Sequence, residues 1–159
     1  MSETGSSGAQ RPDLAGLTVY DTPILVSETR TPPLTSLVVV EIKRPMRNDA
    51  EAGEDRDPIR QALGYLERIR EGKVRSAAGQ PIPSSSEIPG YCYVICDLTD
   101  SVIRCCKAWD LMVTSDHMGY FGFHKTYKAY IKVISFDSLL DNARKRNRAF
   151  FDKLGLPTP

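Results

Sequence analysis

The stretch LVVVEIK at residues 37–43 is the clearest structural signal in the chain. Four of its residues are β-branched, and the unbroken apolar run is typical of a central strand that is buried on both faces. Pro45 ends this strand. Because side chains alternate along a strand, Glu41 and Lys43 are expected to emerge on the same side at its carboxyl end.

A helix is predicted soon after this strand. An acid-rich loop ends at Asp57, a preferred N-cap residue, and Pro58 fits the first helical position. Apolar residues then recur at helical spacing up to Gly72, which marks the end of the helix. These apolar residues are Ile59, Ala62, Leu63, Leu66 and Ile69. Gln61 and Tyr65 are four residues apart and therefore share one face of the helix.

Shorter patterns predict the other elements. Strands are predicted over residues 13–20, 24–26, 91–98, 118–123 and 130–134, and helices from Asp100 or Ser101 to about Met112 and from Phe136 to Leu154. Apart from the short piece at 24–26, the order is β, β, α, β, α, β, β, α. This order predicts an α/β fold with a mixed central sheet flanked by helices. Trp109 and the phenylalanines of the last helix are expected to serve the core.

Length and composition bound the domain organisation. A chain of 159 residues, 41% of them hydrophobic, fits one domain with a sizeable core, which excludes a wholly disordered chain and a disulfide-stapled mini-protein. Residues 1–10 are expected to form a flexible lead or a cloning remnant, residues 11–156 the domain, and residues 73–90 a flexible loop or flap. No apolar run reaches the ~18 residues of a membrane span and no signal peptide is visible, which predicts a cytoplasmic protein without a membrane partner.

The net charge of +1 combines two opposite parts. Residues 1–100 hold 11 Lys+Arg and 15 Asp+Glu, a balance of −4, whereas residues 101–159 hold 10 and 5, a balance of +5. The overall neutrality therefore does not exclude a nucleic-acid partner. A solvated helix face is the competing interpretation of the basic part. The candidate nucleic-acid contacts in it are Lys125, Lys128, Arg144 and Arg148.

Three short patterns carry groups suited to phosphate chemistry. They are Pro12-Asp13 at the head of a strand, Glu41-Ile42-Lys43 at the end of the central strand, and Gln61-x-x-x-Tyr65 on the helix that follows. A strand that begins at Asp13 is expected to bring a second carboxylate next to Glu41. Two carboxylates can hold Mg²⁺, and the metal and a lysine together offset charge on a phosphate. The alternative is that these patterns arise by chance, because a second acid-x-Lys triplet occurs at residues 71–73.

In this order the three patterns resemble the motifs of the PD-(D/E)xK nuclease superfamily, which has the restriction-endonuclease-like fold, and the glutamine–tyrosine helix is similar to its exonuclease-type subset. The similarity spans residues 11 to about 98. The resemblance implies a nuclease that hydrolyses DNA phosphodiester bonds with Mg²⁺ or Mn²⁺. It implies a metal site at Asp13, Glu41 and Ile42, a water-positioning or transition-state role for Lys43, and a supporting or substrate-contacting role for Gln61 and Tyr65.

The resemblance also bears on the length of the chain and its partners. The family core opens with a helix and a strand ahead of the Pro-Asp strand, and only eleven residues precede Pro12, so an N-terminally truncated core is expected. More loosely, the stretches VVVEIKRPM and GYCYVICDL and the arginine-rich tail look like nuclease-like C-terminal regions of larger bacterial ATP-binding proteins. This second resemblance implies an upstream ATPase domain and leaves phage defence and a homodimer open. The alternative function is a catalytically inactive module of the same fold that binds nucleic acid or a partner domain.

Cysteine and histidine are the remaining candidate metal ligands. Cys92 and Cys96 fall within an apolar strand, Cys105 and Cys106 are adjacent, and no C-x-x-C pair occurs. Buried structural thiols are therefore favoured over a zinc site or an iron–sulfur cluster. The two histidines, His117 and His124, flank an aromatic stretch and are expected to be turn residues, with metal ligation or a general-base role as the alternative.

Overall fold

A mixed six-stranded sheet forms the centre of the protein in the computed structural model, which describes residues 14–19, 34–74 and 88–155. The elements are β1 (Leu14–Val19), β2 (Leu34–Ile42), α1 (Pro58–Arg70), β3 (Gly90–Ile95), α2 (Asp100–Ala108), β4 (Met112–Val113), β5 (Gly119–His124), β6 (Ala129–Ile134) and α3 (Phe136–Leu154). The expected α/β class, a mixed sheet with flanking helices, is confirmed. None of the helices in the described ranges is both long enough and apolar enough to cross a membrane.

The strand order across the sheet is β1-β2-β3-β6-β5-β4. The three inner strands β2, β3 and β6 are parallel, whereas β1, β5 and β4 run antiparallel to their neighbours. In the parallel part Glu41 pairs with Val94, and Val94 pairs with Val133. The carboxyl ends of β2, β3 and β6 therefore meet at one border of the sheet, called the carboxyl edge below. Open α/β sheets bind their ligands at such an edge.

One face of the sheet holds the hydrophobic core. Alternate residues of the inner strands, such as Val39, Val94 and Val133, are fully buried there and pack with α1 and α2. The glycine at the start of β3 permits close packing, because a Cβ on Gly90 would lie 2.3 Å from the side chain of Leu66 in α1. The apolar stripe of α1 is thus pressed against the middle of the sheet.

Asp57 fixes the start of α1 at the carboxyl edge. Its fully buried carboxylate accepts hydrogen bonds from the backbone N–H of Ile59 at 2.9 Å and of Arg60 at 3.3 Å, as the N-cap position requires. The second oxygen accepts from the backbone N–H of Gly53 at 2.8 Å and from Trp109 Nε1 at 2.7 Å. This carboxylate therefore joins the acid-rich loop, α1 and the end of α2.

The opposite face of the sheet is open across the described residues. Phe121, Phe123 and Tyr130 expose 43%, 50% and 50% of their surface, and Met112 exposes 61%. The residues of β2 that alternate toward this side, such as Val38, are only partly buried. The expectation that β2 is buried on both faces is therefore wrong, because both core helices, α1 and α2, cover the same side.

The described elements lie within three residues of their predicted bounds except at the end of α2, and β4 has no predicted counterpart. Helix α2 ends at Ala108 instead of about Met112, because Asp110 adopts a left-handed conformation with φ of 53° and Met112 belongs to β4. Helix α3 has the expected bounds, but Phe150 is 61% exposed, so a core role for that side chain is wrong. The predicted strand at 24–26 and most of the predicted loop, residues 75–87, lie outside the described residues.

Candidate active site

Glu41 and Lys43 form a buried ion pair where β2 reaches the carboxyl edge. Lys43 Nζ donates to Glu41 Oε1 at 2.6 Å, and the two side chains are only 11% and 8% exposed. Glu41 faces the helices because it continues the alternation of Leu37 and Val39 along the core face of β2. A carboxylate and an ammonium are therefore held together at the point where the core opens to the sheet border.

Gln61 of α1 completes this group from above the sheet. Its Oε1 accepts a hydrogen bond from Lys43 Nζ, and its Nε2 donates to the backbone carbonyl of Asp55. The contact with Asp55 fixes which end of the amide faces Lys43. Tyr65, one turn further along α1, is 7% exposed and belongs to the hydrophobic core. The helix thus contributes its first turns to the site and its next turn to packing.

The backbone after β2 is tied to the end of β3. The N–H of Lys43 donates to the carbonyl of Ile95 at 2.8 Å, which extends the parallel pairing by one residue. Met46 then turns the chain with a φ of 60°, a conformation that is unusual for a residue with a side chain, and its N–H donates to Asp97 Oδ2 at 2.5 Å. These bonds hold the exit of the strand, and with it the Lys43 backbone, in one position.

Three arginines form a cluster beside Lys43 that the sequence patterns do not predict. Two of them belong to the basic stretch KRPMR at residues 43–47, which directly follows the central strand. Arg44, Arg47 and Arg56 line, together with Lys43, a recess of about 10 Å³, roughly the space one water molecule occupies. Hydrogen bonding from Arg47 lowers the pKa of the exposed Asp49 carboxyl. Asp49 also lies 4.0 Å from Arg56, so this carboxylate offsets part of the charge of two of the three arginines.

The loop that carries these arginines is anchored to the start of α2. Thr99 Oγ1 donates to the carbonyl of Arg47 at 2.9 Å, and the backbone N–H of Ser101 donates to Asn48 Oδ1 at 3.1 Å. The N–H of Ala50 also donates to Ser101 Oγ at 3.3 Å. Because the backbone is held at these points, the arginines stand on a fixed platform instead of a free loop.

The structure separates the predicted nucleic-acid contacts into two groups. Lys125 and Lys128 lie in the turn between β5 and β6, at the border opposite the carboxyl edge. Arg144 and Arg148 lie on α3, which starts where β6 reaches the carboxyl edge. The four residues thus belong to two elements joined by β6, and their contact with nucleic acid stays a prediction.

The metal-site predictions have different outcomes in the described residues. Asp13 lies outside them, and the part of the chain that the structure describes contains no group of three or more His, Cys, Asp or Glu side chains arranged to hold a metal. All four cysteines are buried free thiols, as expected. His117 is a turn residue with φ of 56°. His124 instead ends β5 and makes an edge contact with Trp109, so its assignment to a turn is wrong.

Comparisons of this chain with protein-family models, with curated proteins and with solved structures find no match. The functional interpretation therefore rests on the geometry of Glu41, Lys43 and Gln61 and on the chemistry of these groups.

Proposed function

We propose that this domain is a metal-dependent nuclease that hydrolyses DNA phosphodiester bonds. The observation that supports this most is the convergence of Glu41, Lys43 and Gln61 at the carboxyl edge, with Lys43 Nζ between the two oxygen acceptors. A carboxylate beside a lysine is suited to phosphoryl transfer, since one can hold a cation and the other can neutralise phosphate charge. The neighbouring arginines, whose charge Asp49 partly offsets, supply further groups that can bind a phosphate backbone.

The second predicted carboxylate, Asp13, directly precedes the described strand β1. Leu14 pairs with Val40 in the antiparallel β1–β2 ladder, and Asp13 directly precedes Leu14 in the chain. Paired antiparallel Cα atoms are about 4.5–5.5 Å apart, and consecutive Cα atoms about 3.8 Å apart. Leu14 therefore lies next to the end of β2 that carries Glu41, and we propose that Asp13, Glu41 and Ile42 form the metal site.

The donor chemistry fits Mg²⁺ or Mn²⁺, which prefer carboxylate and carbonyl oxygens. When bound, such a cation would acidify a water molecule and offset charge on the phosphate. Lys43 contributes an ammonium that can donate to a phosphoryl oxygen or orient the attacking water. Gln61 is a positioning residue, because its amide is fixed by the Asp55 carbonyl and holds Lys43 in turn. Tyr65 supports the same helix from within the core.

A cleavage assay with a matched control tests this proposal. The purified chain is incubated with Mg²⁺ or Mn²⁺ and with linear, circular and single-stranded DNA, and we expect Glu41→Ala and Lys43→Ala to lower the rate by about 10²-fold or more. Glu71→Ala and Lys73→Ala are the controls, because that pair has the same sequence spacing and a 2.6 Å contact but is 52% and 64% exposed. Cleavage that persists in the Glu41 and Lys43 variants, or is absent in the wild type, contradicts the proposal.

Loss of folding is separated from loss of chemistry by a double variant. Glu41→Met with Lys43→Met removes both charges together, which avoids leaving one charge buried alone. We expect this variant to stay folded by circular dichroism and to be inactive. A folded and active double variant would assign cleavage to some other site or to a contaminant.

The second candidate function is a non-cleaving module of the same fold that binds nucleic acid or a partner domain. The observation that favours it is the burial of Glu41, whose side chain is 8% exposed and already contacts Lys43. Two calorimetric titrations distinguish the two candidates. The chain is titrated with Mn²⁺, and it is titrated with DNA in the presence and absence of Mn²⁺. The nuclease requires Mn²⁺ binding that Glu41→Gln weakens, whereas the module binds DNA equally well with and without metal.

A further inference from the structure

We infer that the chain forms a reciprocal dimer in which α3 of each copy packs on the open sheet face of the other. Two apolar surfaces remain exposed in the described structure, one on α3 and one on the sheet. Of the eleven large hydrophobic side chains that are exposed among the described residues, four lie on α3 and four on the open face of β4, β5 and β6. The inference is independent of the chemistry proposed for Glu41 and Lys43.

The first surface is a stripe along α3. At 100° per residue its apolar side chains fall within about 120° of arc, interrupted by Asn147, with the basic residues outside that arc. The stripe consists of Phe136, Leu139, Leu140, Ala143, Phe150, Phe151 and Leu154. Leu140 and Phe150 are 54% and 61% exposed. Of the residues of α3, all of which the structure describes, only Ser138 is buried. An amphipathic helix of 19 residues thus has no partner for its apolar side within the described part of one chain.

The second surface is the open face of the sheet. A groove of about 500 Å³ runs across it and is lined almost entirely by apolar and aromatic side chains. Tyr91 stacks on Tyr130 with ring centroids 5.3 Å apart, and Phe123 contacts Tyr130 at 4.7 Å. Helix α3 is about 28 Å long and β3 and β6 are each about 20 Å long, so the helix can cover the full length of these strands.

The apolar character of the groove favours a protein helix over a nucleic acid. Lys132 is the one cationic residue in the groove lining, whereas a surface for a phosphate backbone needs several cations. The chain itself supplies an amphipathic helix, α3, that is long enough to cover the groove. When the stripe is buried, Arg144 and Lys145 remain outside it.

The start of α3 is fixed in a way that allows a second copy to receive the helix. Ser135 caps the helix through a bond from the Ser138 N–H to its Oγ at 3.1 Å, and its own N–H donates to the Met118 carbonyl at 3.1 Å. These bonds fix the start of α3 at the carboxyl edge, and its apolar stripe remains exposed among the described residues. A second copy can receive the helix while both bonds remain.

The area involved matches a stable interface. The eight side chains are each about half exposed, and half of the ~150–250 Å² that a large side chain can bury gives about 100 Å² each, or roughly 800 Å² per chain. This equals the ~800 Å² per partner of a standard specific interface. Because each copy both gives and receives a helix, the contact closes on itself as a two-fold dimer.

Sedimentation velocity and light scattering of the full chain test the inference. We expect the mass of two 17.7 kDa chains for the wild type and of one chain for Leu140→Glu with Phe150→Glu. Phe123→Glu on the sheet should likewise be monomeric. Lys145→Glu is the matched control on the opposite side of α3 and should remain a dimer. Circular dichroism confirms that the variants are folded.

Mixing distinguishes a reciprocal exchange from other dimers. The helix variant keeps an intact sheet and the Phe123→Glu variant keeps an intact helix, so a mixture should form a heterodimer through one intact contact although neither variant dimerises alone. A monomeric wild type, a dimeric helix variant or a mixture without heterodimer overturns the inference. A monomer whose binding to single-stranded DNA is lost in Phe123→Glu assigns the face to nucleic acid and overturns it as well.

Discussion

The two acid-x-Lys pairs of this chain allow a prediction about burial that is independent of catalysis. Glu41–Lys43 and Glu71–Lys73 have the same spacing and the same 2.6 Å nitrogen–oxygen distance. The first pair is 8% and 11% exposed, and the second is 52% and 64% exposed. Any difference in the coupling free energy of the two pairs therefore reports on the environment and not on the contact distance.

The expected magnitude follows from the burial of the first pair. Lys43→Met leaves the Glu41 carboxylate buried without its ammonium, which should lower the free energy of unfolding by about 3–5 kcal/mol. The double variant Glu41→Met with Lys43→Met removes both charges and should lie within about 1 kcal/mol of the wild type or above it. The coupling is thus about 3 kcal/mol or more, against roughly 0.2–1 kcal/mol for the exposed pair in the same cycle.

Urea unfolding followed by the fluorescence of Trp109 measures both cycles. With a slope of about 2 kcal/mol per molar urea, the single Lys43→Met variant should shift the midpoint by about 1.5–2.5 M. The matching Lys73→Met variant should shift it by less than about 0.5 M. Equal coupling in the two cycles, or additive effects of the Glu41 and Lys43 substitutions, would show that burial does not strengthen the coupling of this pair.

Two further predictions concern the core. Gly119→Ala should lower the free energy of unfolding by about 1–3 kcal/mol, because the new Cβ would lie 2.5 Å from the Val133 carbonyl oxygen. Gly64→Ala should raise it by about 0.4–1 kcal/mol, because a Cβ there meets nothing within 4 Å. Urea unfolding measures both changes. Burial raises the pKa of the Cys92 and Cys96 thiols to about 12 and that of Cys105 to about 11. The folded chain should therefore react with Ellman's reagent at pH 8 at least ~100-fold more slowly than the urea-unfolded chain. Equal rates would contradict the burial of these thiols.

Much of the fold was predictable because its signals are local. The β-branched run before Glu41 predicts β2, and the Asp57-Pro58 pair predicts the start of α1. The end of α2 was not predictable, because the left-handed residue that ends it is Asp110 and not glycine. Nor could the sequence show that α1 and α2 cover the same face, since periodicity identifies an apolar side but not the partner that covers it.

The candidate site was predictable in part for the same reason. Alternation along a strand places Glu41 and Lys43 on one side, and helical spacing places Gln61 near the start of α1. The arginines beside Lys43 depend on a loop whose path is set by bonds to Thr99 and Ser101, about fifty residues later in the chain. Such long-range anchoring leaves no periodic trace in the sequence.

The location of the buried pair favours a functional origin over a structural one. A buried ion pair is often neutral or costly compared with apolar residues of the same size, so stability alone gives little reason to keep Glu41 and Lys43 inside. Here the pair lies at the carboxyl edge of parallel strands, and Gln61, held by the Asp55 carbonyl, contacts its lysine. An exposed pair of identical spacing at residues 71–73 has no such support. The difference between the two pairs is preorganisation, which a catalytic site requires and a surface ion pair does not.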